Sequence, residues 1–149
     1  MKQLYKAPEQ YPNDKGVAKI FLAGAIDQGK ARDWQSEITD VLLKLWKDNI
    51  IILNPRREDW DPNWDQSSNN PEFVEQVNWE LNGLDDAELI IVVFTKDSEA
   101  PISFLELGLH AKNGNVVVIC EEGFYRSGNI EIVCKRYNIP LYKSFDGLK

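Results

Sequence analysis

Residues 88–94, Glu-Leu-Ile-Ile-Val-Val-Phe, set six apolar side chains in a row behind one glutamate. A strand with one wet face alternates apolar and polar residues, whereas a strand buried on both faces reads as an unbroken apolar run. Short apolar runs recur in AKIFLA (18–23), IIIL (50–53) and NVVVIC (115–120). Helical signals lie between these runs. In residues 30–47, Trp34, Ile38, Val41, Leu42 and Leu45 fall at the spacing of an amphipathic helix. Asn70-Pro71 opens a second helix, with Asn as N-cap, Pro first and Glu72 in the first turn. It is predicted to reach about Leu84 and to leave Asp85 and Asp86 in the turn, because acids oppose the dipole at a helix end. Pro101 starts a third helix that stops near Asn113-Gly114. A fourth covers about 128–137, and IPLY (139–142) offers a fifth strand. Strand alternating with helix predicts an α/β fold with a roughly five-stranded parallel sheet covered by helices on both faces. Residues 1–17 are polar with two prolines and read as a flexible leader, leaving 18–149 as one domain.

Bulk composition narrows the partners. The chain has 149 residues, 43% of them hydrophobic, and a net charge of -7. That balance opposes a nonspecific nucleic-acid surface, which needs a basic footprint. No run approaches the roughly 20 apolar residues of a membrane helix, and the N-terminus lacks the apolar stretch of a signal peptide. Cys120 and Cys134 form no CxxC pattern and read as reduced thiols of a cytoplasmic protein. The expected partner is a small molecule, not a nucleic-acid polymer or a membrane.

In a parallel α/β sheet, ligands bind beyond the carboxyl ends of the strands. Four stretches therefore hold the candidate site. After the first strand, Gly24, Ala25 and Asp27 belong to LAGAID, whose small residues would let a ligand approach the backbone. After the second come Asn54, Arg56 and Arg57; a guanidinium there is an anion fork or a partner for nearby acids. After the third, the loop holding Ser98 leads into APISFLELGLHA (100–111), with Ser103 and Glu106. Glu106 lies about one turn into its helix, where the dipole would keep it ionised as nucleophile or base. The alternative is a glutamate on a solvated face. Glu80, in VNWELNGLDDAE, is a second carboxylate of the same two readings, and Trp79 beside it could wall a flat ring. After the fourth strand, Arg126, Ser127 and Asn129 combine cation, hydroxyl and amide at a helix start. His110 has no second His or suitable Cys, so no metal site is expected and the residue reads as structural. Neither GxGxxG nor GxxxxGK[ST] occurs.

IFLAGAID (20–27), NPRREDW (54–60), WELNGLDDAELIIVVF (79–94), SFLELGLHA (103–111) and GFYRSGN (123–129) together resemble the nucleoside 2-deoxyribosyltransferase-like family. The resemblance implies a flavodoxin-like three-layer fold and needs no cofactor. It implies a covalent mechanism in which Glu106, in the family's ELG segment, attacks C1′ of a (deoxy)nucleoside. The base is displaced and the sugar passes to another base. The family's acid falls on Glu80, a Glu where Asp is usual. Such sites are often completed by a neighbouring subunit, which implies a homo-oligomer with Ser127 or Asn129 as the donated group. Ala100 departs from the Asp common six residues before the nucleophile, and no early Tyr stands near Phe21 or Ala25. Two alternatives follow: a nucleoside 5′-monophosphate hydrolase using Arg56, Arg57, Ser103 and Arg126 for phosphate, or a noncatalytic nucleotide-binding module.

Overall fold

The computed structural model describes residues 3–26, 32–46, 49–61 and 63–148. The elements are β1 (Leu4–Lys6), β2 (Ala18–Gly24), α1 (Trp34–Leu45), β3 (Ile50–Asn54), α2 (Pro71–Asp86), β4 (Leu89–Phe94), α3 (Pro101–His110), β5 (Val116–Cys120), α4 (Ser127–Arg136) and β6 (Leu141–Tyr142), closed by a 3-10 turn at Phe145–Leu148. All neighbouring strands pair in parallel, in the order β1-β3-β2-β4-β5-β6. From β3 to β6 this is the flavodoxin-like order, with its switch point between β2 and β4.

The apolar runs are explained by two cores. On one face, Ile20, Leu22, Ile52, Ile91 and Val93 meet Trp34, Ile38 and Leu42 of α1. On the other, Phe21, Ala23, Leu53, Val92, Phe94 and Val118 meet α2, α3 and α4 through Leu84, Leu107, Ile130 and Cys134. Alternate residues of one strand feed opposite layers, so each central strand must be apolar throughout. At Gly83 a Cβ would stand 2.8 Å from the Phe21 ring, so α2 lies directly on β2.

Several expectations are corrected. Leu4–Lys6, read as part of a loose leader, form a sixth strand on β3, because Tyr5 and Ala7 are apolar and buried there. The first helix was predicted over 30–47; the described helix starts at Trp34, capped by Asp33, whose Oδ1 accepts from Ser36 N at 3.2 Å. Lys30, Ala31 and Lys47 lie outside the described residues. Its buried stripe includes Gln35 and Thr39, while Leu45 is exposed. Asp85 and Asp86 belong to α2 rather than to the turn. Their position against the dipole is offset by partners: Tyr11 Oη donates to Asp86 Oδ2 at 2.9 Å, and His110 Nε2 lies 4.0 Å from Asp85.

Candidate active site

Helix α3 is built inside out. Ile102, Leu105 and Leu109, one stripe of the helix, are 58, 59 and 55% exposed, while Ser103, Glu106, Leu107 and His110 are buried. The helix is held this way at its start. Phe104 and Phe124 pack on Phe94 with ring centroids 5.0 and 5.1 Å away. This aromatic cluster ties α3 and the β5–α4 loop to the carboxyl end of β4. α3 lies on β2 and β4, the switch-point strands. Glu106, five residues past Pro101, therefore sits roughly 7 Å along the helix from Pro101.

The buried carboxyl group faces another acid. Glu80 of α2 is half-buried as a residue, but protein surrounds its carboxyl group, and its charge acts on Glu106. Burial pushes both groups up from the ordinary carboxylate range, and Glu80 adds to the rise at Glu106. A hydrogen bond from Gln76 opposes the rise at Glu80. This corrects the expectation that the helix start keeps Glu106 ionised. The dipole is worth about 0.3–1 kcal/mol and fades beyond the first turn. Desolvation beside a like charge outweighs it. Among the described residues no cation pairs with either acid, so both carboxyl groups keep their protons into a range where exposed carboxyls have lost theirs.

The other candidates divide by what already occupies them. At Gly24 an added Cβ would stand 2.5 Å from both Val93 O and the Trp34 ring, and Trp34 Nε1 donates to Ala25 O at 2.8 Å. The small residues of this loop thus make room for Trp34, and the expected open approach to the Gly24–Ala25 backbone is filled. Asp27 lies outside the described residues. Trp79 does not wall the carboxylates: its Nε1 donates to Glu9 O at 2.8 Å and its ring meets Tyr11 edge-on. Asn54 Oδ1 closes a turn by accepting from Arg56 N at 2.9 Å. Arg56 Nη1 donates to Arg32 O and Gln35 Oε1, both at 3.2 Å. Arg57 Nε donates to Asp59 at 2.7 Å, with its guanidinium 5.0 Å from the Trp64 ring centre. Both arginines are thus engaged by protein groups, Arg56 also lying 4.0 Å from Asp33. Ser98 Oγ donates to Thr95 O at 2.9 Å, within the loop before α3. Ser103 is buried on the inward face with Glu106. Arg126 and Asn129 are exposed and Ser127 half-buried at the start of α4, and no described hydrogen bond joins them to Glu80 or Glu106. His110 is a packing residue, its Nδ1 2.9 Å from Asn113 Nδ2.

One participant escapes the sequence reading. Gln76 lies one turn before Glu80, and its Nε2 donates to Glu80 Oε1 at 3.2 Å. The four-residue spacing was the available signal, since it places two side chains on one helix face.

A family model described as "Nucleoside 2-deoxyribosyltransferase like" matches residues 17–124, a span that includes both acids, the switch-point strands and α3. The chain belongs to this family. A search of curated proteins gives no match. Family membership accords with small-molecule nucleoside binding, and among the described residues no helix is long and apolar enough to cross a membrane.

Proposed function

We propose that this nucleoside 2-deoxyribosyltransferase-like protein cleaves the N-glycosidic bond of a (deoxy)nucleoside and transfers the sugar to another base. The observation that carries the proposal is a pair of buried carboxyl groups, Glu80 and Glu106, with no cation paired to either among the described residues. A pair that shares one proton supplies the two forms that the reaction needs at once. With the pair's proton passed to Glu80, Glu106 attacks C1′ as the carboxylate. The C1′–N bond breaks, its electron pair goes to the base nitrogen, and Glu80 as the acid form gives that base its proton. A glutamyl sugar ester remains. An incoming base attacks C1′, the ester bond breaks back to the Glu106 carboxylate, and Glu80 takes the proton released by that base. Water as acceptor would give hydrolysis instead. Arg56 and Arg57 are engaged by protein groups, so a grip on a 5′-phosphate through them is the less favoured reading.

The outward stripe of α3 supports a homo-oligomer. Ile102, Leu105 and Leu109 would each gain roughly 1–2 kcal/mol on burial of what is still exposed, and at Gly108, on the same helix, an added Cβ would meet nothing within 4 Å. A second copy seated there would also bring its own groups towards the site. Light scattering is expected to show at least a dimer, and Leu105→Glu to shift it towards monomer; a monomeric parent removes this part.

The reaction is tested by mass spectrometry of the protein and Glu106→Ala with deoxynucleosides and deoxynucleotides, with and without a second free base. New nucleosides made only by the parent establish transfer. Free base without exchange identifies water as acceptor, and binding without turnover leaves a nucleotide-binding module.

A further inference from the structure

We infer that Gln76 is a positioning residue, whose amide fixes the Glu80 carboxyl group and so divides the work between Glu80 and Glu106; this rests on Glu80 acting as the proton carrier proposed above. Gln76 is 5% exposed. Its Nε2 donates to Pro55 O at 2.9 Å and to Glu80 Oε1 at 3.2 Å. A primary amide has two N–H donors, and both are used. Its Oε1 is buried and has no partner among the described residues. Buried amides ordinarily satisfy both ends, so a bare acceptor calls for a reason.

The reason lies in Pro55, the residue after β3. Turning the amide over would set an oxygen against the Pro55 carbonyl, acceptor against acceptor. The backbone at the end of β3 therefore locks the NH2 group towards Glu80. A brace between β3 and α2 would need only the Pro55 bond. The second N–H is the functional one, because it holds one carboxyl oxygen and, by favouring the ionised form against burial, makes Glu80 readier to release its proton to the base. Burial raises the Glu80 carboxyl group and Gln76, on its own helix, opposes the rise, while the charge of Glu80 acts on Glu106 of α3. Among the described residues no cation pairs with it. Among the described residues Gln76 is thus the donor that counters the effect of burial on that proton.

The test compares the protein with Gln76→Met, which keeps length and removes both hydrogen bonds. It follows the Glu80 carboxyl carbon by NMR across pH. The expected result is an upward move of its midpoint by about one pH unit, the size of one lost hydrogen bond to a charge. In turnover, kcat is expected to fall roughly tenfold with KM nearly unchanged. In a Glu80→Gln background the same substitution is expected to add nothing, since its route is gone. Should Gln76→Met not fold, Gln76→Asn keeps the amide but withdraws it from Glu80, with the same upward move expected. An unmoved midpoint, or an equal loss in the Glu80→Gln background, overturns the inference. A parent without turnover would remove the proposed reaction, and the NMR titration would still decide the role of Gln76.

Discussion

Two clusters of charge stand near the carboxyl edge of the same sheet, and they follow opposite rules. In the loop after β3, at the start of α1 and just after β5, carboxylates meet cations: Arg57 with Asp59 at 2.7 Å, Arg32 with Glu37 at 3.3 Å and with Glu121 at 3.2 Å. On α2 and α3, Glu80 and Glu106 carry buried carboxyl groups, the charge of Glu80 acts on Glu106, and Gln76 is hydrogen-bonded to Glu80. The first arrangement is what folding alone selects, since opposite charges at a surface cost little and gain a little. The second costs stability, and a fold keeps such a pair where its shared proton has a use. The difference separates candidate chemistry from scaffold more sharply than residue type does, because both clusters are rich in Glu and Asp.

The largest expected effect breaks the pair itself. Glu106→Ala should lower base exchange by on the order of 10^3-fold or more, the scale on which a nucleophile is missed, in a turnover assay. Glu80→Gln should cost roughly 10^2–10^4-fold, the range of general acid–base catalysis, and the loss should be smaller for a base that leaves easily without a proton. If either variant kept full exchange, the contrast between the two clusters would carry no function.

Stability gives the next contrast, and its sign is opposite to that of activity. Burial raises the pair above the range that carboxyls hold in the unfolded chain. Between those two ranges the folded state binds a proton that the unfolded state has released. Stability contributed by these groups therefore falls as pH rises through that interval, and levels off above it. Glu106→Gln removes the like charge and should flatten the fall. Its melting temperature should exceed that of the parent by a few degrees above neutral pH, for about 1 kcal/mol gained. Thermal melts across pH check this; parallel curves for parent and variant would show that the pair is not strained.

Much of the fold is legible in the sequence because a central parallel strand must be apolar at every position, and four such runs stand between helical signals. β1 was not legible. Leu-Tyr-Lys is three residues long, and only pairing with β3 makes it a strand. Glu106 stood out as a carboxylate among apolar residues, but the natural inference, apolar side in and acid out, fails on α3. The three-residue steps from Ile102 to Leu105 and from Ser103 to Glu106 describe two adjacent stripes equally well, and periodicity cannot tell which one faces the sheet. Gly24 and Trp79 looked like ligand surfaces because small and aromatic residues serve both packing and binding. Their neighbours, Trp34 and Glu9, are ten and seventy residues away in the chain.

The smallest effect is expected in the paired cluster. Arg57 lies over Trp64 and binds Asp59, lowering the Asp59 carboxyl below its ordinary range. A lowered carboxyl adds stability above the unfolded range and loses it as pH falls, the reverse of the glutamate pair. Asp59 is exposed, however, so the term is screened and slight. Arg57→Gln should cost about 1 kcal/mol, counting the lost stacking on Trp64, and should leave kcat within about threefold, far from the general acid range. Thermal melts and turnover on one preparation measure both. If turnover instead fell as far as in Glu80→Gln, and only with 5′-phosphorylated substrates, Arg57 would have to leave Asp59 to bind the phosphate. The paired cluster would then be part of the machinery, and opposite charge in contact would no longer mark scaffold in this fold.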